Sequence, residues 1–160
     1  MKGQAPIFSH QADDWETPWT LFQPLHEEFQ FTVDAAANAS NHLLPNWYGP
    51  GSPIAEDALT ISWENQRCWL NPPYSMLKQF VAKAALERTR GALTVMLIPS
   101  RTDTKCWHEH LWDASQLVPK WRDGVEGRFL KGRVKFIDPT GSSRNSAPFP
   151  SVIVVMRPTQ

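Results

Sequence analysis

Residues Ala92 to Ile98 read Ala-Leu-Thr-Val-Met-Leu-Ile, an almost unbroken apolar run. A strand with one wet face alternates in polarity, so such a run is expected where both faces of a sheet are covered. The stretch before it sharpens the reading. Met76 to Thr89 sets Leu77, Phe80, Val81, Ala84 and Ala85 on one helical face and leaves Lys78, Lys83, Glu87 and Arg88 to solvent. Gly91 ends that helix. Ahead of it, Arg67-Cys68-Trp69-Leu70 reads as the end of a buried strand, and Ser151 to Met156 reads as another. Strand, helix, strand is a parallel crossover, so the expected class is α/β with a mostly parallel sheet.

Between the first strand and the helix lies Asn71-Pro72-Pro73-Tyr74-Ser75. Two prolines fix φ and remove two amide donors. A polar side chain, a carbonyl and an aromatic ring are therefore presented at the carboxyl end of a strand, where open α/β sheets bind ligands. The set suits activation of a planar exocyclic amine. Asn71 Oδ1 and the Pro72 carbonyl can each accept one amine hydrogen. Two aimed acceptors stabilise the positive charge that grows on the nitrogen as a methyl group arrives. Tyr74 would stack on the base and hold it in line. A plain loop is the competing reading of these letters.

Other stretches supply candidates for the same edge. Thr17-Pro18 reads as an N-cap and first helical residue, followed by Leu21, Phe22, Leu25 and Phe29 at helical spacing, with a kink or break expected at Pro24. Phe29 to Ala37 reads as a short strand ending in Asp34, and Ala35, Ala36 and Ala37 would let a ligand approach the backbone. Residues 38–55 read as loop, with Trp47-Tyr48 as a candidate lid. Asp57 either reaches the pocket or caps a turn. Thr104 caps a helix carrying Trp107, Leu111 and Trp112. Residues 116–136 read as two antiparallel strands, Gln116 to Trp121 and Gly132 to Phe136. Lys120, Arg122, Arg128, Lys131, Arg133 and Lys135 make this the most basic region, joined by Arg101, Lys105 and Arg144 as candidate phosphate contacts. A charged edge strand also prevents aggregation, so the patch has a structural explanation too. Residues 1–12 are expected to be a flexible tail, 13–160 a single domain, and 138–150 a mobile loop.

Composition narrows the class. The 160 residues are 41% hydrophobic and carry no net charge, which fits one globular domain and argues against a protein covered in basic surface. Cys68 and Cys106 lack metal spacing and read as reduced thiols in a cytosolic protein. No metal is expected. The run Val152 to Met156 is far too short to span a membrane.

In order, the pieces are Trp15-Glu16-Thr17-Pro18, Phe31-Thr32-Val33-Asp34-Ala35-Ala36, Glu56-Asp57-Ala58-Leu59 with Trp63, and Asn71-Pro72-Pro73-Tyr74-Ser75. Leu97 to Thr104, Lys131 to Phe136 and Pro150 to Val155 follow. This series resembles the S-adenosylmethionine-dependent amino-methyltransferases, and within them the small phage and prophage Dam-like DNA N6-adenine methyltransferases. The resemblance covers roughly residues 13–157. It implies a reduced Rossmann-like methyltransferase sheet with an antiparallel C-terminal hairpin. It implies that Asn71, Pro72, Pro73 and Tyr74 bind the target adenine and face the methyl donor. Thr17 and Pro18 would contact the methionine half of the cofactor. Asp34, Ala35 and Ala36 would form the first strand's cofactor loop, and Asp57 would approach the cofactor's adenine. The partner would be DNA, in the cytoplasm of a bacterial host. The same motif also serves methylation of RNA or of protein glutamine, and a non-catalytic binding module that has lost its cofactor is a further alternative.

The chain departs from the family pattern twice. Three alanines replace the glycine-rich cofactor loop, and about thirty residues separate Ala37 from Arg67, where the full fold places two more strands and helices. The ribose side of the cofactor pocket is therefore expected to be built from loop.

Overall fold

The computed structural model describes residues 16–137 and 146–160. The architecture is mixed α/β. Helix α1 spans Trp19–Phe29, β1 Val33–Asp34, β2 Arg67–Leu70, α2 Leu77–Glu87, β3 Leu93–Pro99 and α3 Lys105–His110. Four strands follow: β4 Trp112–Asp113, β5 Lys120–Trp121, β6 Val125–Phe129 and β7 Ser151–Met156. The central sheet has the order β1-β2-β3-β7-β6. β1, β2 and β3 are parallel, in the register Asp34↔Trp69 and Trp69↔Val95. β7 runs antiparallel to both β3 and β6, so four of the five strands point the same way. β4 and β5 make a separate antiparallel pair.

Alternation of side chains along each strand explains the layers. Leu93, Val95 and Leu97 of β3, Ile153 and Val155 of β7 and Trp69 of β2 share one core with Phe22, Leu25 and Phe29 of α1. Met96, Ile98, Val152, Val154, Met156, Cys68 and Leu70 share the opposite core with Phe80, Val81 and Ala84 of α2 and Trp107 of α3. Every residue of β3 and β7 is buried. Covering both faces is what their unbroken apolar sequence requires.

Several expectations hold and several are corrected. Thr104 caps α3, accepting from the Trp107 amide at 3.4 Å. Trp112, expected on that helix, begins β4 instead. Gly91 (φ +88) turns the chain after α2, as expected. α1 runs through Pro24 without a break. Pro18, not Thr17, is its N-cap, because Pro18 holds an extended ψ of 135° and its carbonyl takes the amides of Leu21 and Phe22. The hairpin expected over 116–136 is not formed. Lys120–Trp121 pairs back to β4, and Val125–Phe129 pairs with β7. Gly132 to Phe136 is not a strand; Val134 and Phe136 turn inward onto the core beside α1. The tail and most of the 138–150 loop, Arg144 included, lie outside the described residues. Ala147, within that expected loop, is buried and donates its amide to Val134 O at 2.9 Å.

Candidate active site

Because β1, β2 and β3 are parallel, the residues that follow each of them emerge at one edge. A cavity of about 390 Å³ opens there, within the ~300–1,000 Å³ usual for small-molecule sites. Thr17, Asp34, Ala35, Ala36, Asp57, Asn71 and Pro73 all line it. These come from four separate stretches of sequence. Pro72, which is buried, and Pro18 and Tyr74 are not among the lining residues.

Asn71 leaves β2 directly. Its Nδ2 donates to Thr17 Oγ1 at 3.1 Å. Pro73 starts a short 3-10 turn, Tyr74–Met76, and its carbonyl accepts the Met76 amide at 3.0 Å. The half-buried Tyr74 ring meets Phe149 edge to face at 4.9 Å, and the Arg101 guanidinium lies 6.0 Å from the Phe149 centroid. Ser100 donates its amide to Pro150 O at 2.9 Å, clamping the two segments together.

Asp34 is the most unusual group in the cavity. It is 4% exposed, and one oxygen, Oδ2, accepts the Leu43 amide at 3.0 Å. The other, Oδ1, is buried with no hydrogen-bond partner among the described residues. Burial pushes the carboxyl up to about 7, against the Leu43 and Ala36 amides, which hold it down.

The loop side is built by residues 38–58, with no helix or strand between β1 and β2. Residues 46–48 nonetheless lie along β1 like a strand. The Asp34 amide donates to Asn46 O at 3.0 Å, that of Tyr48 to Asp34 O at 2.9 Å, and that of Ala37 to Tyr48 O at 2.9 Å, giving a parallel bridge between Asp34 and Trp47. Gly49 then packs on Ala37 so closely that a Cβ would stand 1.8 Å from the Ala37 carbonyl oxygen, at φ +143. Only a glycine lets the two backbone segments meet this closely. Asp57 does both things expected of it: its Oδ1 caps the Leu59 amide at 2.9 Å, and the residue lines the cavity. The segment is pinned by Trp63, whose indole donates to Ala58 O at 3.0 Å and whose amide donates to Glu87 Oε2 at 2.8 Å. Glu87 is fully buried and paired with Lys83 at 2.7 Å and Arg90 at 3.1 Å.

The basic candidates divide. Arg128 is held in a fork by Glu28, at 2.7 Å to each oxygen, and also by Glu126. Lys105 pairs with Glu109 at 3.3 Å, Lys120 with Asp123 at 3.7 Å, and Arg122 donates to His108 O. Lys131, Arg133 and Lys135 are exposed on one side of an extended segment whose other side buries Val134 and Phe136. Arg101 is exposed beside Phe149.

Residues 4–160 match the family described as DNA N-6-adenine-methyltransferase (Dam). The chain belongs to that family. Among its relatives is the DNA N-6-adenine-methyltransferase of Haemophilus phage HP1, 27% identical over 150 residues, which cover 91% of this chain and 79% of the phage protein. Another is the DNA N-6-adenine-methyltransferase of Escherichia phage T1, 28% identical over 155 residues, covering 91% of this chain and 63% of that protein. No solved structure matches. In this Dam-family chain no helix among the described residues is long and apolar enough to cross a membrane. Sequence reasoning missed Phe149 and Gly49. Phe149 sits in a Pro- and Ser-rich stretch with no periodicity, and Gly49 lies thirteen positions beyond Ala36, in a segment without a helical or strand period.

Proposed function

We propose that the cavity holds S-adenosylmethionine and that the Asn71 turn presents the N6 amine of a DNA adenine to it, within one domain over residues 13–160. The finer fold reading is a reduced Rossmann-like methyltransferase sheet, with residues 46–48 standing in for the strands that the short connection omits. The observation that carries the proposal is that Asn71 and the Asp34–Ala36 stretch share one cavity at the carboxyl edge of parallel strands. The residues fit the cofactor's chemistry. Asp34 Oδ1 is a buried acceptor without a partner among the described residues, and an amine or ribose hydroxyl of the cofactor would satisfy it. The alanines and Gly49 keep the backbone accessible.

S-adenosylmethionine, when bound, supplies an electrophilic methyl group on a sulfonium centre. The protein supplies position and electrostatics. Asn71 Oδ1 and the Pro72 carbonyl accept the two N6 hydrogens and draw the lone pair toward the methyl. Tyr74, braced by Phe149, stacks on the base. Asn cannot take a proton, so the amine releases one to water after transfer. An adenine in a duplex must first leave the stack, at a cost of a few kcal/mol. Lys131, Arg133 and Lys135, with Arg101, are the surface proposed to hold the DNA backbone. Both relatives are phage proteins, which supports a place in the bacterial cytoplasm, where phage DNA is replicated.

The test is transfer of label from radioactive S-adenosylmethionine to DNA lacking adenine methylation. Wild type is expected to produce N6-methyladenine. Asn71→Ala is expected to lose about 100-fold or more of the rate, the scale of removing one aligned transition-state acceptor, while keeping its fold and cofactor affinity. Near-normal turnover by Asn71→Ala would sink this mechanism. Label appearing in RNA or protein but not in DNA would change the substrate.

A further inference from the structure

We infer that Trp19 is a base-stacking residue, which takes the face of a DNA base next to the target adenine once that adenine has left the helix. The inference rests on the reading of DNA as the substrate. Trp19 is the first residue of α1 and is 52% exposed. A single exposed hydrophobic residue is ordinary and means nothing by itself. What distinguishes this one is its place.

Trp19 stands between the two surfaces that a DNA substrate has to reach. On one side is the Asn71 turn. Asn71 Nδ2 lies 3.1 Å from Thr17 Oγ1, and the two residues from Thr17 to Trp19 span at most about 7 Å. The start of α1 is therefore at the rim of the cavity. A run of rings leads back from it: Trp19 rests on Phe22 at 5.3 Å, and Phe22 meets Trp69, a cavity residue, edge to face at 5.4 Å. The indole is thus backed by the core on one side and open to solvent on the other. Next to it is the basic segment. Glu16 pairs antiparallel with Ile137, exchanging hydrogen bonds at 3.0 and 3.1 Å. The chain entering α1 is therefore tied to the segment that carries Lys131, Arg133 and Lys135, all exposed.

Cations and an open ring side by side match a nucleic acid, which offers phosphates to the first and base faces to the second. A second copy of this chain, docked through the same patch about a two-fold axis, would bring like charges together. The position also suits the reaction. Extruding a base removes its stacking on its neighbours, and a ring that takes over one neighbour's face offsets part of that cost. Tyr74 then holds the extruded adenine, and Trp19 holds the stack it left.

The test uses a duplex oligonucleotide whose methylated adenine has been mapped with the wild-type enzyme. Trp19→Ala is expected to bind it about tenfold more weakly, the scale of one lost base–aromatic stack. The dependence of log Kobs on log salt should keep its slope, because no phosphate contact is removed. Trp19→Phe should recover most of the affinity and Trp19→Leu should not, which separates stacking from apolar packing alone. Wild-type affinity in Trp19→Ala, or full recovery in Trp19→Leu, overturns the inference. So does a wild-type dimer that Trp19→Ala splits, since the ring would then belong to a contact between copies. The wild-type protein gives an answer that depends on no variant. Iodouracil placed beside the target adenine should crosslink on irradiation to the peptide carrying Trp19; crosslinks to other peptides only would overturn the inference. Absence of any DNA methylation by the wild type defeats the substrate reading itself, whereas methylated DNA with a normal Trp19→Ala defeats the role of Trp19 alone.

Discussion

Asp34 holds a buried oxygen, Oδ1, with no hydrogen-bond partner among the described residues, and burial raises its pKa from the ordinary 3.8 to about 7. Between those values the folded protein keeps a proton that the unfolded chain has lost. The stability this group contributes is therefore complete below about pH 4 and is lost as pH rises through 7. Asp34→Asn is expected to melt higher than wild type at pH 8 without ligand, where removing about 1 kcal/mol of strain corresponds to roughly 2–4 °C. The same variant should bind S-adenosylmethionine at least about tenfold more weakly, as expected for removing an ionised acceptor. Wild-type affinity should strengthen from pH 6 to 8, and the variant's should stay flat. Calorimetric melting and titration at three pH values check both; a lower melting point with unchanged affinity would contradict the assignment. At this scale the sequence was informative where chemistry is carried by residue type. Asn71, Thr17, Asp34 and Asp57 were all legible and meet at one cavity. Phe149 was not, because an aromatic in an aperiodic stretch has no signal until its partner, Tyr74, is located in space.

At the scale of elements, the loop between β1 and β2 adds a strand-like edge to the sheet. Residues 46–48 extend the sheet by three backbone hydrogen bonds, and Gly49 lets that extension lie flat on Ala37. Gly49→Ala puts a methyl group into the Ala37 carbonyl at a backbone angle that side chains rarely adopt. It is expected to lower stability by about 1–3 kcal/mol and to weaken S-adenosylmethionine binding, with the strand and helix signal retained. Urea denaturation followed by circular dichroism, with binding measured separately, would show it; wild-type stability would mean the loop has room that the geometry denies. The buried strands and α2 were readable because both-face burial and helical period leave plain patterns. The hairpin over 116–136 was misread for a physical reason. β6 reads Val-Glu-Gly-Arg-Phe, and its glycine looks like a turn, but Gly127 is there to admit the Trp121 ring, which a Cβ would meet at 2.1 Å. Gly132 to Phe136 does alternate, yet its apolar side faces the α1 core and not a partner strand.

Over the whole molecule, a net charge of zero hides an uneven distribution. Arg128, Lys120 and Lys105 are matched by acids within the fold, while Lys131, Arg133 and Lys135 have no ion pair among the described residues. Replacing these last three by Gln should flatten the dependence of log Kobs for duplex DNA on log salt by up to about 3, near 0.9 for each phosphate no longer neutralised. Arg128→Gln should leave that slope alone and lower the melting temperature. Fluorescence anisotropy across a salt series distinguishes the two, and an unchanged slope in the triple variant would move the DNA surface elsewhere. The sheet order carries a consequence of a different kind. β7 is the last strand described, yet it lies between β3 and β6. During synthesis β6 emerges with no neighbour to join, and β3 waits with one apolar edge open. The central sheet cannot close until residue 156 has left the ribosome, so an interrupted message yields a sticky fragment and never a smaller working enzyme.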